Sequence, residues 1–314
     1  MDLKPIGLLY HPIFLEHDLG PGHPENPDRL KSILKELEDW REDERFIWVD
    51  PPKALAEDLT RVHSPRYVEW VRQTCESGGE FYPALEGNLT PATYEAARYA
   101  AGALIEACER VWEGDWAGGL ALVRPPGHHA LYTSAMGFCV FNNVAVAATW
   151  LLEKKGAKSV LIADFDVHHG NGTQDLFYAD NRVSFFSIHQ FPHYPGSGSA
   201  QERGAGEAVG ATLNAPLKPG SGDTEFLAAL REQLLPWAAE RQPEMLLISA
   251  GFDAHENDPL SELRITTDGY RRAGLILKEL AMQHCSGRWA ATLEGGYHLK
   301  SLGESVRAFL KGMA

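Results

Sequence analysis

The sequence predicts an α/β fold: a single domain whose doubly wound, mostly parallel sheet is flanked by helices. Three observations predict it. Short apolar runs alternate with helix-forming stretches, no low-complexity linker or internal repeat divides 1–314 into halves, and polar, glycine-rich segments follow the apolar runs. A length of 314 residues suits one large domain or two small ones, since about 150 residues per domain is only a prior, and the missing linker selects one.

The elements justify themselves in order. IGLLYH near the start reads as a buried parallel strand, because strands covered on both faces are continuous Val, Ile, Leu and Phe runs. Residues 26–40, 65–76 and 91–112 have helix-forming composition, and the strand GLALV then runs up to Arg124. A helix over 142–155 leads to the strands VLIADFD and VSFFSIH. After them come a helix over 223–241, the strand MLLISAG, a helix over 266–284, the strand WAATLEGG and a last helix over 298–312. Several helices open on Asn, Ser, Thr or Asp, whose side chains cap free backbone N–H groups. The glycine-rich stretches 195–206 and 218–222 read as surface loops.

Composition excludes several classes. Hydrophobic residues make up 44% and charged residues 23%, ordinary globular usage that allows a sizeable core. Lys and Arg total 29 against 43 Asp and Glu, a net charge of -14, which argues against unaided nucleic-acid binding and favours cationic substrates. Apolar stretches such as Val144–Leu152 fall far short of the roughly 20 residues that span a bilayer. The opening MDLKPIGLLY has no charged and then apolar export pattern, so the cytoplasm is expected. Cys75, Cys108, Cys139 and Cys285 lie far apart, as reduced thiols do, and the apolar neighbours of Cys139 mark a small buried side chain, not a nucleophile.

The chemistry sits at the strand ends. These read RPPGHHA, DFDVHHGNG, SIHQFPHYPGSG, SAGFDAHENDP and LEGGYH, and each carries titratable groups. In a doubly wound sheet such ends converge on one cleft. Asp166 and His168 lie two apart on what reads as an extended segment, which points both to one side. With Asp253 from another strand they make a set of two carboxylates and one imidazole, which nearly neutralises a divalent ion and leaves a position open for water or a carbonyl oxygen. D-x-H alone is as readily a strand end bonded to its own loop; Asp253 and the tandem His128–His129 add weight, because unpaired buried charges are costly without a cation.

These residues resemble a known family, the zinc-dependent histone deacetylase-like amidohydrolases, which include acetylpolyamine amidohydrolases and share the arginase/deacetylase fold. HPENPDRL, RPPGHHA, GFCVFNN, DFDVHHGNGTQ, HYPGSG, SAGFDAHENDP and LEGGYH occur in the family's order over nearly the whole chain. The resemblance implies one Zn²⁺ on Asp166, His168 and Asp253. His129 would be the general base and later acid, and His128 an electrostatic aid oriented by Asp164. Tyr297 would donate to the oxyanion, the plainer alternative being a core tyrosine. By likeness, Phe138 and Tyr194 would wall a tunnel around the acyl-lysine stem, with Tyr194 departing from the commoner Phe, and the Gly137 carbonyl would accept the substrate N–H. Arg29 matches an arginine near the inner cavity, with a helix-surface arginine as the alternative. A K⁺ site would use oxygens of Asp164, Asp166, His168, Ser187 and Ile188.

Departures refine the expectation. Asn171 replaces the aspartate of one branch, which leaves His129 a neutral neighbour and resembles class II-like members. Leu260 stands where a polyamine-selective member has a glutamate, which favours acyl-lysine peptides or proteins over acetylated polyamines as partners. Glu86 and Asn88 read better as solvated loop than as substrate rim. A two-metal arginase would need a second aspartate where Ala254–His255 follow Asp253. A catalytically weak acyl-lysine-binding protein is the rival outside enzymology.

Overall fold

Among the described residues, eight parallel strands in the order β2-β1-β5-β10-β9-β6-β7-β8 organise the fold. The computed structural model describes residues 4–314. The strands are β1 (Ile6–Leu9), β2 (Phe46–Val49), β5 (Gly118–Ala121), β6 (Val160–Asp164), β7 (Val183–Gln190), β8 (Thr212–Leu217), β9 (Met245–Ala250) and β10 (Trp289–Leu293), while β3 (Glu80–Tyr82) and β4 (Gly87–Leu89) form a separate antiparallel hairpin. The five strands whose ends carry motifs are neighbours at the centre of the sheet, and β5, β10, β9, β6 and β7 run in register, as in Ala291↔Ile248 and Ile248↔Ala163. Their carboxyl ends therefore open onto a single edge.

The helices are α1 (Asp28–Glu36), α2 (Ala56–Leu59), α3 (Pro65–Glu76), α4 (Thr93–Glu113), α5 (Asn143–Trp150), α6 (Asn171–Phe177), α7 (Asp223–Ala228), α8 (Leu235–Arg241), α9 (Thr267–His284) and α10 (Leu299–Met313). They flank the sheet: α10 packs on α9 and α1, while α4 packs on α5, β5 and β10. The helix expected over 223–241 is broken by a wide turn at Ala229–Leu234, two residues before Pro236, whose missing N–H cannot continue the ladder. The helix expected over 26–40 ends at Glu36, and Glu38–Arg41 tighten into a 3₁₀ turn.

Strands β2 and β8 escape the sequence pattern and are the two edges of the sheet. Each is partly exposed, and β8 carries Pro216, which an edge tolerates because no central ladder bond is lost. The core is continuous, and all four cysteines are buried and unpaired. Among the described residues no helix is long and apolar enough to cross a membrane.

Candidate active site

Strand β6 stops at Asp164, so Asp166 and His168 lie on a bend and not on the extended segment expected. What aligns them is an Asx-type turn, in which the His168 N–H donates to Asp166 Oδ1 at 2.9 Å. Asp253 arrives from the loop after β9, and its Oδ1 accepts the Val167 N–H at 2.9 Å. One ligating atom from each of Asp166, His168 and Asp253 then lies within 4.8 Å of the others. His168 Nδ1 is 3.0 Å from Asp166 Oδ1 and 3.2 Å from Asp253 Oδ2.

This cluster fits a divalent cation on two structural grounds. Asp253 Oδ2 is buried without a hydrogen bond, a costly state for a carboxylate oxygen. The backbone also closes tightly around it: a Cβ at Gly295 would collide with Asp253 Oδ2, and one at Gly251 with Asp166 Oδ2. Burial, with the Asp166 charge beside it, pushes the Asp253 carboxyl up to about 7. Burial alone would lower the His168 imidazole, yet the two carboxylates bring it up to about 10. The pocket thus demands positive charge.

Beside the cluster, His128 and His129 lie with ring centroids 4.0 Å apart. His128 Nδ1 meets Asp164 Oδ2 at 2.9 Å, and although burial lowers it, Asp164 and Asp166 prevail and raise it to about 10. His129 Nδ1 meets Asn171 Oδ1 at 2.6 Å, and burial together with the cations His128 and His168 holds it well below the ordinary histidine range. Asn171 Nδ2 faces Met136 Sδ, so its oxygen is the group turned to His129 and fixes the proton on Nδ1. Two adjacent imidazoles with protonation driven apart are suited to separate electrostatic and proton-transfer tasks.

A cavity of about 480 Å³ opens above them, lined by His128, His129, Gly137, Phe138, His168, Tyr194, Leu260 and Tyr297. Gly137 and Phe138 both take left-handed backbone, at φ 51° and 65°, and their N–H groups are held by the carbonyls of Ala84 and Leu85 in the hairpin turn. A Cβ at Gly137 would strike the His129 ring, so only glycine lets this turn approach. The Phe138 ring stands 6.1 Å from Tyr297, and the Tyr194 ring 5.3 Å from His129. Burial, then the Asp253 charge, keeps the Tyr297 phenol well above its usual range and hence a donor.

The structure also places Arg29 and the hairpin residues Glu86 and Asn88. Arg29 is fully buried and not on a helix surface: it donates to the Gly296 and Glu294 carbonyls and to Glu25, and lies 5.0 Å from the Tyr297 ring centroid. Glu86 is exposed in the hairpin turn and also lines the cavity, whereas Asn88 pairs within the hairpin. Ser187 sits opposite Asp164 on the neighbouring strand, and Ile188 follows it in the buried β7. Several residues went unremarked. His23 and His193 line the cavity, and Asp258 anchors the Tyr297 N–H at 2.7 Å. Buried Arg124 binds Glu25 Oε2 at 2.8 Å and the carbonyls of Phe14 and His17.

The chain is similar to known proteins in sequence and in fold. The model of the histone deacetylase domain matches residues 23–313. A probable deacetylase of Archaeoglobus fulgidus is 39% identical over 94% of this chain and 82% of its own length. The polyamine deacetylase HDAC10 of Homo sapiens is 41% identical over 90% of this chain, which corresponds to only 43% of that protein. In three dimensions, the crystal structure of the HDA15 HD domain aligns with a TM-score of 0.92 at 35% identity, covering 99% of this chain and 88% of that one.

Proposed function

The chain belongs to the histone deacetylase domain family, and from that premise we propose that it is a zinc-dependent amidohydrolase that removes acetyl or related acyl groups from the side-chain amine of acyl-lysine. The observation that carries this reading is the convergence of Asp166, His168 and Asp253 beneath a cavity that exposes His129 and Tyr297. Asp166, His168 and Asp253 would hold the zinc, which would supply Lewis acidity towards water and the amide carbonyl. His129, neutral and with Nε2 free, takes the proton of the attacking water and returns it to the departing nitrogen. The amide C–N bond breaks, the acyl group leaves as a carboxylic acid and the lysine amine is freed. The Tyr297 hydroxyl donates to the carbonyl oxygen as charge builds there.

Other residues hold these in place. Asp164 orients His128, whose fixed positive charge offsets the developing negative one. Phe138 and Tyr194 wall the apolar stem, and the Gly137 carbonyl accepts the substrate N–H. Arg29 acts as a positioning residue behind Tyr297. K⁺ on oxygens of Asp164, Asp166, His168, Ser187 and Ile188 would steady the loop beneath His128. Leu260 at the cavity favours acyl-lysine, since it offers no charge to a second ammonium. Acetylpolyamine deacetylation is the second reading, favoured by Glu86 at the cavity and by the net charge of -14.

The test is turnover of acetyl-lysine peptides against N-acetylputrescine on zinc-loaded protein, with a chelator control. Faster, chelator-sensitive turnover of peptides is expected. A strong preference for the diamine overturns the substrate assignment, and no turnover of any amide by zinc-loaded protein favours a binding role.

A further inference from the structure

We propose that the same tunnel contains a second, inhibitory site for a zinc-class divalent cation, made by His128, Cys139 and Glu294. One ligating atom from each lies within 4.8 Å of the others, and all three residues are buried. The inhibitory consequence rests on the role given to His128 above; the binding itself does not.

Each ligand has capacity to spare. Glu294 Oε2 accepts the N–H groups of Gly127 at 2.7 Å and His128 at 3.2 Å, while Oε1 is buried with no partner at all. An ionised oxygen in that state is costly, and a cation relieves it. His128 Nδ1 is committed to Asp164, which leaves Nε2 as the nitrogen that can exchange its proton for an ion. Cys139 is fixed by a tight turn in which its N–H donates to the Met136 carbonyl at 2.9 Å, and it lines the cavity with His128, so an ion that enters the tunnel meets these two, with Glu294 within 4.8 Å of them.

A nitrogen, sulfur and oxygen set suits a borderline-soft ion that accepts four-coordination, with water as fourth ligand, and disfavours Mg²⁺ or Ca²⁺. Binding displaces two protons to solvent, one from the Cys139 thiol and one from His128 Nε2. It also commits the His128 imidazole to the ion, so His128 can no longer carry a proton and its positive charge. The site is unrelated to an arginase-type pair, which would draw on residues beside Asp253.

The test is titration of chelated protein with Co²⁺, followed by absorbance and activity. The first equivalent should restore turnover; the second should lower it and bring a thiolate-to-cobalt charge-transfer band. Changing groups around a metal ligand costs about 10–100-fold in affinity, so loss of a ligand should cost at least about 100-fold. Cys139→Ser should therefore take up one equivalent by calorimetry, and its activity, relative to its own one-equivalent value, should withstand excess metal. Glu294→Gln should keep the band but require far more cobalt. Asp166→Asn should lose turnover yet keep the band, which separates this site from the zinc reading. Absence of the band in the parent protein overturns the proposal, as does a second equivalent bound equally well by Cys139→Ser.

Discussion

Two faces of the same pair of loops differ sharply. Along 164–168 the side chains alternate: Asp164, Asp166 and His168 crowd the polar cluster, while Phe165 and Val167 are buried in the core. In the loop after β9, Phe252 and Asp253 repeat the division. On the apolar side the Phe165 ring lies 5.7 Å from Phe252, 5.4 Å from Phe309 and 6.0 Å from Tyr270, all almost fully buried. Ring packing of this kind stabilises the fold and clamps the backbone. The polar side does the opposite, pressing two carboxylates together that repel until a cation arrives. Stability comes from one face and chemistry from the other, and the rigid apolar face is what stops the carboxylates from relaxing apart.

The comparison is broken most severely at Asp253. Asp253→Asn keeps the side-chain volume and the bond to the Val167 N–H but removes a ligand charge; turnover should fall to background and the activating equivalent of metal should be lost. Stability should move the other way. Because the folded carboxyl sits at about 7, above its ordinary 3.8, its neutral form stabilises the chelated protein at low pH, and this contribution is lost as pH rises through about 7. Chelated Asp253→Asn should thus lack part of that decline, so its melting temperature at pH 8 should equal or exceed the parent's. A variant that melts lower at pH 8 while matching the parent at pH 5 contradicts the division of labour.

Phe252→Ala is the converse. Truncating a buried aromatic ring costs about 3–5 kcal/mol, readable as a lower denaturant midpoint. The surviving folded fraction should still bind the activating zinc, since no ligand is touched. Between these extremes, Tyr297→Phe should leave stability near the parent's and lower kcat about 10²–10³-fold, the effect of losing one oxyanion donor, with KM changing little. Unchanged kcat would return Tyr297 to the core-tyrosine reading.

Legibility follows the same division. The five central strands were readable because burial on both faces makes them unbroken apolar runs, and their ends because Asp166, His168, Asp253, His128 and Tyr297 interrupt those runs abruptly. Edge strand β8 was hidden, since TLNAPL mixes polar and apolar residues as partial exposure allows. Helix α6 was hidden because it starts at Asn171 within the glycines of the metal-site motif. The buried partnership of Arg124 with Glu25 joins residues 99 apart, and no local pattern encodes it. The orphaned oxygen of Glu294 is likewise a property of packing, and only coordinates reveal it.

The smallest change sharpens the comparison inside the polar face itself, where His128 has a carboxylate partner and His129 an amide. Asn171→Asp would give His129 a charged partner at the place where Asn171 Oδ1 now sits 2.6 Å from Nδ1. A carboxylate at that range raises an imidazole's pKa by about 1–3 units. Since the proposed base must be neutral to accept a proton, the acidic limb of the kcat/KM profile should move to higher pH by about one unit, worth about 1.4 kcal/mol. The plateau above it should change less. A limb that stays where it was would mean that the group titrating there is not His129, and that the polarity of residue 171 does not set the base.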